Sequence, residues 1–162
     1  MGIMYTCELP SVARTTSFDF FELTPADDKI LIVHAIDIGQ TTEVGDAAEE
    51  QLDWTIRRGG TGMTSGSAGT GSVAAANGIG LSAVYATSSF TYDAGNTTVA
   101  TFTSGVIVYH SAFNVRSGLL WIPTPEMRPI VAQTNGGLVV RCESTPADSI
   151  TFVGTITVEE VY

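Results

Sequence analysis

Strict alternation of apolar and polar residues over "SITFVGTITVEE", residues 149–160, constrains the fold more than any other feature of this chain. A period of two is the signature of a β-strand with one packed face and one wet face. The apolar face of this segment carries Ile150, Phe152, Ile156 and Val158. Gly154, in its middle, predicts a bulge or the close approach of another backbone. "QLDWTIRR" alternates in the same way, so strands dominate the prediction.

The rest of the chain favours the same fold class. Turn signals rich in Pro, Asp, Asn and Gly separate the strand-like segments, at "TPADDK", "YDAGNTT", "QTNGG" and "STPADS". The 162 residues, 44% of them hydrophobic, are enough for one sizeable core and a single domain over residues 1–162. We therefore expect an all-β fold, an antiparallel two-sheet β-sandwich or jelly roll with long Gly/Ser-rich loops. Residues 1–14 are expected to form an extended N-terminal arm.

Two segments, "KILIVHAIDIG" and "VIVYHSAF", are apolar on both faces. In an antiparallel protein such strands are covered by a second sheet on one side and by a loop or another subunit on the other. They are the predicted centre of the core. The two cysteines, Cys7 and Cys142, alternate with apolar neighbours, which predicts buried structural thiols.

The stretch "RRGGTGMTSGSAGTGSVAAANG", residues 57–78, is dense enough in glycine to suggest a phosphate-binding loop. A P-loop needs a lysine after its last glycine, and residues 59–80 contain none. "GTGSVA", residues 69–74, fits the dinucleotide fingerprint but lacks the strand before it and the helix after it. We therefore predict a flexible Gly-rich loop over residues 59–80 and no nucleotide or other cofactor.

The usual acid–base residues are few. His34 and His110 stand in apolar rows, which is typical of core or subunit-contact histidines rather than catalysts. Two histidines and two distant cysteines do not make a transition-metal site. We expect no catalytic residues and no enzyme activity. A calcium site built from loop oxygens stays open, with Asp27, Asp28, Asp93 and Asn96 as the residues that could supply them.

Charge narrows the choice of partner. The formal net charge is −10 and Lys29 is the single lysine. An acidic surface repels the phosphate backbone, so nucleic acid is not an expected partner. The sequence contains no apolar run of the ~18–20 residues that a membrane span needs, nor the basic and apolar regions of a signal peptide. We expect a soluble protein made in the cytoplasm.

The segment "WIPTPEMRP", residues 121–129, is the clearest candidate for a contact surface. Its three prolines stiffen an extended chain that cannot lie in the middle of a sheet. The residue types Trp, Met and Arg are enriched where proteins touch. An edge crossover between sheets and a protein contact are both compatible with it. The predicted partner contacts are loop 59–72 and the residues Arg57, Arg58, Met63, Trp121, Met127 and Arg128.

The order of segments is familiar. It runs "FDFFELTPADDKILIVHAIDIGQ", "LDWTIRRGG", "VIVYHSAFNVRSGLLWIPTPEMRPIV" and "GGLVVRCESTPADSITFVGTITVEE". Over most of the chain this resembles the small β-sandwich structural proteins of tailed bacteriophages and prophages. The resemblance implies a virion component without catalytic residues. Residues 64–92 depart from that pattern, because they are rich in Gly, Ser and Ala instead of carrying proline.

What the resemblance implies most directly is a capsid decoration, or cement, protein. Such a protein binds the major capsid protein on the outer capsid surface, commonly as a homotrimer, after synthesis in the host bacterial cytoplasm. A tail, fibre or receptor- and glycan-binding subunit of the phage particle is the alternative within the same class. A β-sandwich hydrolase that uses His34 and His110 is the alternative from another class.

Overall fold

The computed structural model describes residues 2–42, 50–69, 77–79 and 88–161, and of residues 77–79 the backbone alone. Short 3-10 turns cover Pro125–Met127 and Gln133–Asn135. The remaining regular structure is strand, so the all-β prediction is confirmed. The strands are β1 (Ile3–Arg14), β2 (Phe18–Thr24), β3 (Ile30–Gln40), β4 (Gln51–Gly59), β5 (Met63–Thr64), β6 (Asn77–Ile79), β7 (Thr91–Asn96), β8 (Thr101–Phe102), β9 (Gly105–Asn114), β10 (Leu119–Trp121), β11 (Ile130–Ala132), β12 (Leu138–Cys142) and β13 (Ile150–Val161).

The strands form two packed antiparallel sheets, as the predicted sandwich requires. Sheet A has the order β10-β3-β13-β1-β6, with β11 also paired to β3. Sheet B has the order β7-β2-β12-β4-β9, and β5 pairs with β8 in a small separate ladder. Consecutive strands from β1 to β4 alternate between the two sheets. Each of them therefore pairs with a strand distant in sequence.

The core lies between the sheets and is rich in aromatic rings. Phe18 and Phe20 of β2 lie 5.3 and 5.5 Å from Phe152 of β13, measured between ring centroids. The inward residues that alternation predicted on β13 are all buried. Cys7 and Cys142 are free, buried thiols, as expected. Burial raises the pKa of both thiols, that of Cys142 to about 12, which keeps them protonated and unreactive.

The expected N-terminal arm is instead an interior strand. Residues 3–14 form β1, which pairs with β13 on one side and with β6 on the other. The register shifts between Leu9 and Val12, where Pro10 has no N–H to donate to the ladder. The alternating apolar side chains of β1 face the core, so burial fixes this segment to the sandwich.

Gly154 marks a close backbone approach, one of the two outcomes predicted for it. It lies between Leu9 of β1 and Ile38 of β3. A Cβ atom built on Gly154 would lie 2.6 Å from the carbonyl oxygen of Asp37. Glycine is therefore required here by space.

Residues 59–69 of the predicted Gly-rich loop lie across the outer face of sheet B. The buried carboxylate of Glu22 accepts bonds from the hydroxyl of Ser65 at 2.5 Å and from the N–H of Gly66 at 2.9 Å. These contacts, within one chain, hold a segment that the sequence predicted to be flexible. Residues 77–79 of the predicted loop form the strand β6 instead, which pairs with β1. Residues 70–76 and residue 80 of that prediction lie outside the described residues.

Candidate protein-contact surface

One side of the sandwich is closed by the edges of both sheets. Sheet B ends at β9, and sheet A ends at β10 and β11, which follow one another along β3. The rings of Trp54, Tyr109 and Trp121 fill the space between these edges, with centroids 5.1 to 6.0 Å apart. Arg58 of β4 also reaches across and donates from Nη1 to the carbonyl oxygen of Ile130 at 2.9 Å. The two edges therefore form one continuous surface.

This surface exposes large aliphatic side chains. Leu120 and Ile122 are each 68% exposed and Met127 is 62% exposed. Single exposed apolar residues are ordinary, but a contiguous group of them marks an interaction site. We call this surface the apolar side. Its exposed apolar residues are Val108, Met127 and Ile130, which line one cavity, and Leu120 and Ile122 of the adjoining edge. Val106 and Ile107, also exposed on β9, line a separate cavity with Arg57 and Arg141.

The strand β9 is an edge that carries neither charge nor proline, and its one protective feature is a bulge at Val108, where the register with β4 shifts. Natural edge strands are kept from pairing with other chains by shortness, proline or charge. The other edge of sheet B, β7, is shorter and carries Asp93, while β10 and β11 have three residues each. β9 has ten residues, none of them Asp, Glu, Lys or Arg. It pairs with β4 alone among the described strands, which leaves its outer backbone edge open to another chain.

Charged groups of both signs line a cavity of about 340 Å³ on the apolar side. Arg58, Glu126 and Arg128 all contribute to it, together with Met127 and Ile130. None of these three charged residues forms a salt bridge with another described residue. The Nε atom of Arg128 is buried and has no hydrogen-bond acceptor among the described residues. Glu126 and Arg128 therefore have no charged partner among the described residues, while Arg58 is held by the carbonyl oxygen of Ile130.

The structure brings four of the predicted contact residues together: Arg58, Trp121, Met127 and Arg128 lie on the apolar side, although the ring of Trp121 turns inward. Arg57 and Met63 do not join them. The Nη2 atom of Arg57 lies 2.7 Å from Oε1 of Glu143 on the outer face of sheet B. Met63 is half-buried in β5, against the turn that precedes β12.

Sequence reasoning missed the exposure of β9. It placed "VIVYHSAF" at the centre of the core, and this was wrong for Val106, Ile107 and Val108, which are at least 39% exposed. The same expectation for "KILIVHAIDIG" is confirmed for the inward residues of β3, which are buried, but not for Ile30, which is 40% exposed. The sequence did carry a signal, because both faces of this segment are apolar. That pattern predicts that both faces are covered, but it does not say whether this chain or another one covers them. Leu120, Ile122 and Ile130 were not singled out at all.

The residues weighed for catalysis lie apart. His34 belongs to β3 in sheet A, where its Nε2 atom is 2.9 Å from Oε2 of Glu159. His110 is exposed on β9 in sheet B. The structure therefore places the two histidines on different sheets.

The oxygens weighed for calcium are partly occupied by hydrogen bonds. The side-chain amide of Asn96 donates to Oδ2 of Asp93 at 3.0 Å and to Oε1 of Glu22 at 2.6 Å. Asp27 accepts a bond from the side-chain amide of Gln133. Within the described ranges, no three His, Cys, Asp or Glu side chains form a group that could hold a metal ion.

Comparison of the chain with protein-family models, with curated proteins and with solved structures finds no match in any of the three. The part of the chain that the structure describes contains no helix long and apolar enough to cross a membrane.

Proposed function

We propose that this protein is a structural subunit of a phage particle rather than an enzyme. In this proposal it is a decoration protein that binds the major capsid protein on the outer surface of the assembled shell. It is made in the bacterial cytoplasm and acts as a homo-oligomer, with a trimer favoured. The resemblance of its strand and crossover order to such proteins supports this role. The observation that carries the proposal is the apolar side, since a surface of this kind serves a protein that is buried against other subunits.

The energetics favour a broad contact over this side. Burying one large apolar side chain completely contributes about 1.5–3 kcal/mol. A micromolar complex needs a net gain of about 8 kcal/mol, after a cost of about 4–15 kcal/mol for lost freedom of motion. One or two side chains cannot supply this. Most of the apolar side must become buried together.

The net charge of this protein, and the stage at which a decoration protein binds, also fit a place on the outside of a shell. A net charge of −10 is unsuited to the DNA-facing interior, where it would repel phosphate. A protein that binds assembled shells but not free subunits stabilises the assembled state by mass action. A cement role therefore needs no chemistry from this chain.

The test is co-sedimentation of the purified protein with assembled capsids. Ile122→Glu places a charge in the apolar side and is expected to abolish binding, because it disrupts the homo-oligomer that binds the shell. Thr91→Glu makes the matched change at an exposed site on β7, the opposite edge of sheet B, and is expected to leave binding intact. Labelled protein imaged on whole particles adds the second readout. Signal on tails alone, or equal binding by both variants, would contradict the proposal.

A further inference from the structure

We infer that the occupant of the apolar side is a second copy of this chain, with Glu126 of each copy facing Arg128 of its neighbour. The inference rests on the proposed function, because it names the partner of the same surface. It goes further in assigning the pair of residues that sets how the copies fit together.

The charges of Glu126 and Arg128 are self-complementary, because each copy presents one of each sign. Glu126 and Arg128 flank Met127 and line one cavity, yet they form no salt bridge with each other or with other described residues. A suitably placed rotation axis beside this cavity can bring the carboxylate of one copy against the guanidinium of the next. The contact is repeated in every copy, whether two or three copies close the ring.

The local charge at this surface also favours contact between copies. Two chains of net charge −10 repel one another, so copies can meet most easily where negative charge is locally low. The cavity carries Arg58 and Arg128 against Glu126 alone. The facing elements add few further charges: β9 has no Asp, Glu, Lys or Arg, and β3 brings Asp37 beside Leu120.

Apolar and charged groups contribute differently to this contact. Aliphatic side chains surround the cavity and supply apolar contact area, which does not favour one orientation of the two copies over another. Charged pairs at the rim of an interface add little affinity but select one register over others.

The test is a charge swap followed by sedimentation velocity and light scattering. Wild type is expected to be an oligomer. Glu126→Arg and Arg128→Glu, each alone, place like charges face to face and are expected to weaken association at least about tenfold. The double variant E126R/R128E restores opposite charges and is expected to recover most of the wild-type association. Thr91→Glu, on β7 at the opposite edge of sheet B, is the control and leaves the oligomer unchanged.

Three results would overturn the inference. They are a monomeric wild type, single variants that associate as well as wild type, and a double variant that stays as dissociated as the singles. Circular dichroism confirms that each variant is folded. Capsid co-sedimentation is scored separately. Monomers that bind shells would refute this inference and the proposed homo-oligomer, but leave the proposed capsid binding standing. Oligomers that do not bind shells would refute the capsid binding and leave this inference standing.

Discussion

Asp19 shows how burial and pairing compete at a single residue. Its carboxylate is fully buried and accepts bonds from Nε of Arg141 at 2.5 Å and from the N–H of Ala100 at 2.6 Å. Both partners favour the charged form. The loss of hydration has a larger effect than these two partners, and it raises the pKa of Asp19 to about 7.

The raised pKa predicts an unusual pH dependence of stability. Between about pH 4 and pH 7 the folded protein holds a proton on Asp19 that the unfolded chain has lost. The free energy of unfolding therefore falls as pH rises through this window and levels off above it. Urea unfolding at several pH values between about 4 and 8 measures this slope.

Asp19→Asn isolates the contribution of this residue. The variant cannot titrate at position 19, so its stability is expected to depend less on pH than that of wild type. At pH 8 it is also expected to be less stable by about 3–5 kcal/mol, because the charge of Arg141 stays buried without its partner. Asp53→Asn, at an exposed carboxylate, is the control and keeps the wild-type slope. Equal slopes in wild type and Asp19→Asn would show that Asp19 is charged throughout.

At the scale of the strand, the sequence predicted which residues face inward but not which strands pair. Alternation in the segment that became β13 identified its buried face correctly, because period two follows from the geometry of any strand. Pairing was hidden because consecutive strands alternate between the sheets. The partners of β13 are β1 and β3, at the other end of the chain. Residues 1–14 were mistaken for an arm for the same reason, since nothing near them in sequence pairs with them.

Two glycines in the same sheet give a matched test of this packing. A Cβ atom on Gly154 would lie 2.6 Å from the carbonyl oxygen of Asp37, whereas a Cβ atom on Gly39 would have as its nearest neighbour a methyl carbon of Val153, 3.9 Å away. Gly154→Ala is expected to force β3 and β13 apart and to lower the free energy of unfolding by about 1–3 kcal/mol. Gly39→Ala is expected to be neutral or to stabilise by up to about 1 kcal/mol, because it restricts the unfolded chain.

Thermal and urea unfolding of the two variants measure these changes in the free energy of unfolding. A Gly154→Ala protein as stable as Gly39→Ala would mean that the strands adjust to the extra methyl group without cost. The close approach would then not be what requires glycine at this position.

At the scale of the whole molecule, the contact surface could be predicted in part. Proline and residue type pointed to Met127 and Arg128, which do lie on the apolar side. The β9 part could not be found, because a sequence that is apolar on both faces looks the same whether its own chain or another covers it. Arg57 was misplaced for a related reason, since its partner Glu143 is 86 residues away in sequence.

The balance of forces on the apolar side predicts how association responds to salt. Two effects oppose each other: salt screens the general repulsion between chains of net charge −10, and it weakens the Glu126–Arg128 pairs. Exposed pairs contribute about 0–1 kcal/mol each, less than the burial of one large aliphatic side chain. Raising the salt concentration from about 0.05 to 0.5 M is therefore expected to keep or tighten the oligomer.

Sedimentation velocity over a dilution series at each salt concentration measures this response. Ile122→Glu is the comparison, because its association is expected to be weak at both concentrations. Dissociation of the wild-type oligomer by salt would mean that charge, and not apolar area, holds the copies together. The energetic argument for the apolar side would then fail even if the copies meet there.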